Sequence, residues 1–210
     1  MGVAVTAPQR AQIGDHYLDS GPLFCLGGSQ VLADLFDVHF LPRSKVVGAV
    51  VAEVAHNANL VLPPVGPHQK RGVKQAARVV QGRYKQLIAA AEVVPTPEPV
   101  LLGAMKTELQ TRALATLPPG ASLHPLKNDG EAESVFWAKS TTAEVIANDA
   151  DAHFLAAKHG VTSSSFVEVA RHLVKVQKTV KRKAIYRELA ALSSRDIFPG
   201  EHLYSELDLV

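Results

Sequence analysis

The sequence predicts an α/β protein, a three-layer α/β/α sandwich built around a central parallel sheet. Short apolar runs that end at proline, glycine or aspartate alternate along the 210 residues with longer segments of helical periodicity. Hydrophobic residues make up 47% of the chain and aromatic residues only 6%, which suits an aliphatic core and argues against a disordered chain. Regular alternation of strand and helix favours a parallel sheet with helices on both faces.

The first third of the chain supplies two predicted strands and two predicted helices. These are a strand at 17–18, a helix that begins at Pro22 and resumes at 29–36, a strand at 38–42 and a helix at 44–59. The first strand ends at Asp19, and Pro22 is well placed in the first turn of a helix, where its missing N–H costs nothing. Proline also ends the second strand, and Ser44 is a plausible N-cap for the helix that follows.

The rest of the chain is predicted to be mainly helical. We expect a basic amphipathic helix or helix pair at 70–94, a helix at 100–120, a helix that starts at Asn128 or Asp129, a strand at 143–147, a helix at 150–159, and two more helices beyond residue 162. Prolines and glycines at 95–99 and 118–120 separate these segments.

Composition limits the cellular setting and the kind of partner. A net charge of +2 is too small to make the whole surface basic, but Lys and Arg cluster at 70–85 and 171–187, which predicts local basic surfaces. The single cysteine, Cys25, excludes an intrachain disulfide, so a cytoplasmic protein is expected, with Cys25 as a small buried side chain. The sequence has no run of about 18 apolar residues, so we expect no membrane span.

Several acidic residues lie where the local pattern does not require one. They are Asp19, Glu53, Glu131, Glu133, Asp149 and Asp151. Each alone has an ordinary explanation as a helix cap, a partner for the helix dipole or part of a polar face. Together, acids at the carboxyl ends of parallel strands and at helix starts can converge on one cleft. Such a cluster would repel itself unless a hard cation such as Mg²⁺ or Mn²⁺ neutralised it.

Four motifs, in order and covering residues 16–166, resemble those of PIN-domain proteins. "HYLDSGPL" resembles the opening strand with its aspartate, and "VVGAVVAEV" resembles the second motif with its glutamate. "GEAESVFWA" is similar to the GEAE helix start of one branch, and "VIANDADAHFLAAKHGV" to the closing strand and turn. The resemblance implies a PIN-like version of the predicted sandwich.

The resemblance assigns roles to particular acids. The implied catalytic residues are Asp19, Glu53, Glu131 and Asp149, the implied metal ligands are Asp19, Glu131, Asp149 and Glu133, and the implied supporting residues are Ser20, Asn148 and Asp151. The chain departs from the family at Ala147, where a threonine hydroxyl usually supports the fourth acid.

The function implied by this resemblance is Mg²⁺- or Mn²⁺-dependent hydrolysis of RNA. Many PIN-domain ribonucleases are toxins, so an antitoxin protein and a homodimer are further implied partners. The backbone of the RNA requires nearby cations. The candidates are Lys70, Arg71, Lys74, Arg78, Lys181 and Arg182, although a solvated helix face explains them equally well.

Two other functions stay open. The first is a degenerate PIN-like domain that binds nucleic acid or protein without catalysis, which Ala147 favours. The second is another doubly wound domain, a receiver or a haloacid-dehalogenase-like phosphatase, but "DSG" stands where the phosphatase needs D-x-D. The predicted division is an arm at 1–14, a PIN-like domain at 15–170 with a helical insertion at 70–117, and a basic helix and tail at 171–210.

Overall fold

A four-stranded, all-parallel sheet forms the centre of the protein. The structure is a computed structural model that describes residues 14–62, 69–116, 128–176, 181–195 and 197. The strands are β1 (His16–Leu18), β2 (Ser44–Lys45), β3 (Glu144–Ile146) and β4 (Ser163–Ser164). They lie in the order β2-β1-β3-β4, so β1 and β3 are central.

Helices cover both faces of this sheet, and the predicted three-layer α/β/α sandwich is confirmed. The helices are α1 (Ser20–Gly28), α2 (Gln30–His39), α3 (Gly48–Ala58), α4 (Gln69–Arg83), α5 (Lys85–Ala89), α6 (Val100–Thr116), α7 (Asp129–Thr141), α8 (Ala150–Lys158), α9 (Phe166–Val176) and α10 (Arg182–Ser193). Helix α7 contacts β1 and β3 and packs against α3, α6 and α8, whereas α2 packs against α9 and α10. Within the described residues, no helix has the length and apolar character needed to cross a membrane.

The register of the central strands places Asp19 at the carboxyl edge of the sheet. Tyr17 is aligned with Val145, and Leu18 with Ile146. The ladder continues one step further, because the Asp19 N–H donates to the Ile146 carbonyl oxygen at 3.0 Å. The four aligned apolar side chains are fully buried, as expected for strands covered on both faces.

The predicted strand at 38–42 is wrong. Helix α2 continues to His39, and Leu41–Arg43 forms a short 3₁₀ turn with Pro42 at its start. The buried side chains Leu32 and Phe36 follow a helical spacing that Phe40 extends, while Val38 is exposed. Burial on one side of the helix therefore outweighs the local β preference of the apolar run.

The predicted helix at 44–59 starts too early. Residues Ser44–Lys45 form strand β2, and α3 begins only at Gly48 after an extended Val47. Ser44 does not cap this helix. Its hydroxyl donates to the Phe40 carbonyl oxygen at 2.9 Å and lies 2.8 Å from Nε2 of the buried His16.

Most later elements lie near their predicted positions. The basic segment forms the pair α4 and α5, and the strand predicted at 143–147 is β3. The polar strand β4 was not predicted. Cys25 is fully buried, as expected. Its pKa is raised, chiefly by that burial.

The predicted domain division stays a prediction. The structure does show how the predicted insertion packs and where the predicted boundary at 170 falls. Helix α4, within the predicted insertion, packs against α1 and α3, and the predicted boundary at 170 falls inside α9. The predicted arm, apart from Gly14, and the prolines at 118–119 lie outside the described residues.

Candidate functional site

The candidate site is centred on Asp19, which follows β1 directly and precedes the first turn of α1. This carboxylate is only 4% exposed. Its Oδ1 atom is buried and receives no hydrogen bond from the described residues. A buried carboxylate oxygen without a partner is costly. Asp19 is therefore a position where a ligand would relieve an existing penalty.

Glu53 of α3 is brought to the same place by the start of α7. A Cβ added at Gly130 would lie 3.5 Å from Asp19 Oδ1, 3.8 Å from Glu53 Oε2 and 3.1 Å from Val50 Cγ2. The two carboxylates thus border one small space that the missing side chain of Gly130 leaves open. Sequence reasoning missed Gly130, although a glycine in the first turn of a helix was a visible signal.

Asp149 approaches the same group of acids from the end of β3. It is exposed and lies at the N-cap of α8, where its Oδ1 accepts the Asp151 N–H at 2.8 Å. Asp149 therefore caps α8. This does not exclude a second role, because the Asp149 charge also acts on Asp19.

The pKa of Asp19 reflects the proximity of Glu53 and Asp149. Burial, followed by the negative charges of Glu53 and Asp149, raises the pKa of Asp19 to about 7. The backbone N–H groups of Ser20 and Gly21 oppose the rise in pKa, although they do not meet the geometry of a capping hydrogen bond. Three of the four predicted catalytic acids thus interact electrostatically.

The two glutamates of the GEAE motif have different surroundings. Glu131 is half-buried in the first turn of α7, directly after Gly130. Glu133 is buried, and its Oε2 accepts the Ala49 N–H of α3 at 3.0 Å. Its Oε1 lies 3.7 Å from Nζ of Lys106 on α6. Burial raises the pKa of Glu133, and the Ala49 N–H and the Lys106 charge oppose that rise.

Lys106 is a second residue that sequence reasoning missed. Its ammonium group lies 2.8 Å from Glu98 Oε2 and 4.0 Å from Asp129 Oδ1, in addition to the contact with Glu133. A lysine on a mainly polar helix surface gives no sequence signal for such a contact. The three acids come together only through the packing of α6 against α7.

Two of the three predicted supporting residues, Asn148 and Asp151, have structural partners. Ser20 is buried at the start of α1. Asn148 accepts the Phe166 N–H at 3.0 Å, and its amide lies 3.6 Å from Cys25 Sγ, so it ties α9 and α1 to the end of β3. Asp151 forms an ion pair with Arg112 at 2.6 Å.

A divalent cation beside Asp19 would be held by few protein ligands. Among the residues that the structure describes, no group of three or more His, Cys, Asp and Glu is placed to hold a metal ion. Mg²⁺ does not require such a cage, since it commonly keeps several waters and uses one or two carboxylates plus substrate oxygens. The unpartnered Asp19 Oδ1 and the space beside Gly130 meet that smaller requirement.

Two of the predicted RNA-binding cations donate hydrogen bonds to backbone carbonyl groups. Lys74 Nζ donates to the Leu60 carbonyl oxygen at 2.6 Å, and Arg78 Nε donates to the Ala58 carbonyl oxygen at 3.1 Å. Both contacts lie at the end of α3, where carbonyl groups lack partners within the helix and cations are favourable. Lys74 and Arg78 therefore hold α4 against α3.

The other predicted cations lie on two separate helices. Lys70 and Arg71 are exposed in the first turn of α4. Lys181 is exposed at the N-cap of α10, and Arg182 is half-buried beside it.

Comparison with models of known protein families, with curated proteins and with solved structures found no match to this chain.

Proposed function

We propose that this protein is a Mg²⁺- or Mn²⁺-dependent ribonuclease of the PIN-like kind. The observation that carries the proposal is the buried, unpartnered Asp19 Oδ1 at the carboxyl edge of a parallel sheet, beside Glu53 and Asp149. Ligands of open parallel sheets bind at this edge. Perturbed carboxylates are also more common at functional sites than elsewhere.

Asp19 and Glu53 would hold the cation, with Asp149 and Glu131 at the border of the site. A divalent ion bound there would activate a water and neutralise charge that develops on a phosphoryl group. The acids would have to be ionised to bind it, and the cation itself would favour that state at Asp19. The chain then needs no protein nucleophile for hydrolysis.

Cations on α4 and at the start of α10 would hold the substrate backbone. Lys70, Arg71, Lys181 and Arg182 are the candidates. Contacts of this type give salt-dependent and sequence-independent affinity. RNA as the substrate, a toxin role with an antitoxin partner, a homodimer and a cytoplasmic location belong to the same proposal and rest on sequence alone.

The test compares Asp19→Asn with Asp15→Asn. Both substitutions remove one carboxylate, but Asp15 is exposed and precedes β1, at the opposite end of the strand from the site. We expect wild-type protein and Asp15→Asn to cleave end-labelled RNA in Mn²⁺ or Mg²⁺, and Asp19→Asn to lose both cleavage and Mn²⁺ binding measured by electron paramagnetic resonance. Equal cleavage by Asp19→Asn and wild-type protein would contradict the proposal, as would wild-type protein that cleaves no RNA.

A second candidate is a PIN-like domain that binds RNA or protein without cutting. Ala147 favours it, because this fully buried residue provides no hydroxyl beside Asn148 and Asp149. The engagement of Glu133 by Ala49 and Lys106 points the same way. RNA binding that is equal in Mn²⁺ and in chelator, with no cleavage in either, would identify this second function.

A further inference from the structure

Glu133 joins three helices through its two carboxylate oxygens. Oε2 accepts the Ala49 N–H at 3.0 Å, and Oε1 lies 3.7 Å from Lys106 Nζ. The residue itself belongs to α7, Ala49 to α3 and Lys106 to α6. Both oxygens of this buried carboxylate therefore face protein partners.

The contact with Ala49 lies at the start of α3, where N–H groups have no acceptor within the helix. The first of these, from Gly48, donates to the Glu92 carbonyl oxygen at 2.9 Å, and the second, from Ala49, donates to Glu133. Acceptors outside the helix thus fix where α3 begins. Glu53 follows Ala49 by four residues, so the two lie one turn apart on the same side of α3.

Helix α7 shows the same spacing on its side of the contact. Gly130 precedes Glu133 by three residues and therefore lies one turn earlier on the same side of α7. The space at Gly130 is bordered by Val50, Glu53 and Asp19. Two contacts between α3 and α7, one turn apart, join the Glu133 carboxylate to the Asp19 site.

We propose that Glu133 is a positioning residue that sets the place of Glu53 opposite Asp19 by holding the first turn of α3 against α7. The other oxygen of this carboxylate lies 3.7 Å from Lys106, which is itself 2.8 Å from Glu98. This inference rests on the proposed function, in which Asp19 and Glu53 hold the cation. It replaces the expectation that Glu133 is itself a metal ligand.

The test uses Glu133→Ala and Glu133→Gln, because glutamine keeps an oxygen that can accept the Ala49 N–H but loses the negative charge. The control is Glu98→Gln, which removes a carboxylate charge beside Lys106 and leaves Glu133 unaltered. Three quantities are measured on folded protein. They are the amide exchange rate of Ala49, the nuclear Overhauser effect between the Val50 methyl groups and Gly130, and the dissociation constant for Mn²⁺.

For Glu133→Ala we expect faster exchange at Ala49, a weaker Val50–Gly130 effect and Mn²⁺ affinity reduced by about tenfold, the equivalent of one modest contact. For Glu133→Gln and the control we expect values within about twofold of wild type. A metal ligand would behave differently, because Glu133→Gln would lose Mn²⁺ affinity while the Val50–Gly130 effect stayed intact. That result overturns the inference.

The remaining outcomes also decide the question. If Glu133→Ala does not fold, the comparison of Glu133→Gln with wild type still separates a hydrogen-bond acceptor from a charged ligand. Unchanged exchange and an unchanged Val50–Gly130 effect in folded Glu133→Ala would overturn the inference. If wild-type protein binds no Mn²⁺, the proposed function fails, whereas the two metal-free measurements still test whether Glu133 positions α3.

Discussion

The carbonyl oxygen of Ala76 on α4 lies against Gly27 of α1, and a Cβ at Gly27 would overlap it. The same Cβ would lie 2.9 Å from Val80 Cγ2. Because the obstructing atom belongs to the backbone, it cannot move aside without moving the helix. The two helices are therefore in closest contact at a position that only glycine fits.

We predict that Gly27→Ala lowers the free energy of unfolding by about 3 kcal/mol, the upper range for overpacking a core. Urea denaturation measures the loss. Gly82→Ala is the control, since a Cβ there meets nothing within 4 Å and alanine favours a helix. A Gly27→Ala protein as stable as wild type would contradict the packing of α1 against α4.

The raised pKa of Asp19 predicts how stability depends on pH. Folded protein keeps the proton on Asp19 up to about pH 7, whereas the unfolded chain releases it near the ordinary value of 3.8. The folded state thus binds more protons in this range. The contribution of Asp19 to the free energy of unfolding therefore falls as pH rises from 3.8 to about 7.

Asp19→Asn should consequently stabilise metal-free protein by about 2 kcal/mol near pH 8, with the difference vanishing near pH 4. Denaturation across this pH range measures the effect, and Asp15→Asn provides the matched loss of charge. An Asp19→Asn protein that is less stable than wild type near pH 8 would contradict the burial and repulsion described for this carboxylate.

Because of the open space at Gly130, we predict that a side chain there weakens cation binding more than it changes stability. A methyl group there would lie between Asp19 Oδ1 and Glu53 Oε2, and it would press on Val50. We expect Gly130→Ala to change the free energy of unfolding by less than about 1 kcal/mol, because helix propensity offsets the tight contact. Mn²⁺ affinity, measured by calorimetry, should fall by about tenfold. Gly82→Ala on α4 is the control, since a Cβ there meets nothing within 4 Å. Equal Mn²⁺ affinity in Gly130→Ala and wild type would disprove the assignment of the space.

We predict that Arg78 and Lys70 of α4 contribute differently to stability and to RNA binding. Arg78→Ala should lower the free energy of unfolding by about 1 kcal/mol, since it removes a charged donor from the Ala58 carbonyl group. Lys70→Ala should change it by less than about 0.5 kcal/mol, because Lys70 is exposed. RNA affinity at several salt concentrations should show the reverse order, with the larger loss in Lys70→Ala. Equal stability losses would contradict this prediction.

The sequence predicted the fold class because helical apolar periodicities such as those of α2, α4 and α9 are strong signals. The edge strands were harder to predict. Ser44–Lys45 and Ser163–Ser164 have two residues each, mostly polar, so neither alternation nor composition marks them. The apolar run at 38–42 has the composition of a strand, but it forms the end of α2 and a 3₁₀ turn.

The candidate site was predictable at Asp19, Glu53 and Asp149, since strand ends and an acid in an apolar helix are visible in the sequence. The sequence also indicates that Glu131 and Glu133 have different surroundings. Residues two apart on a helix point about 200° apart, so both could not face one cation. Which one faces the protein depends on Ala49 and Lys106, which approach from distant segments.

The short outer strands have a consequence for how other molecules could bind. Strands β2 and β4 each offer only two residues at the borders of the sheet. Such brief edges provide little template for an added strand from another chain. Any macromolecule that associates with this protein is therefore expected to contact helix surfaces and their side chains instead of extending the sheet.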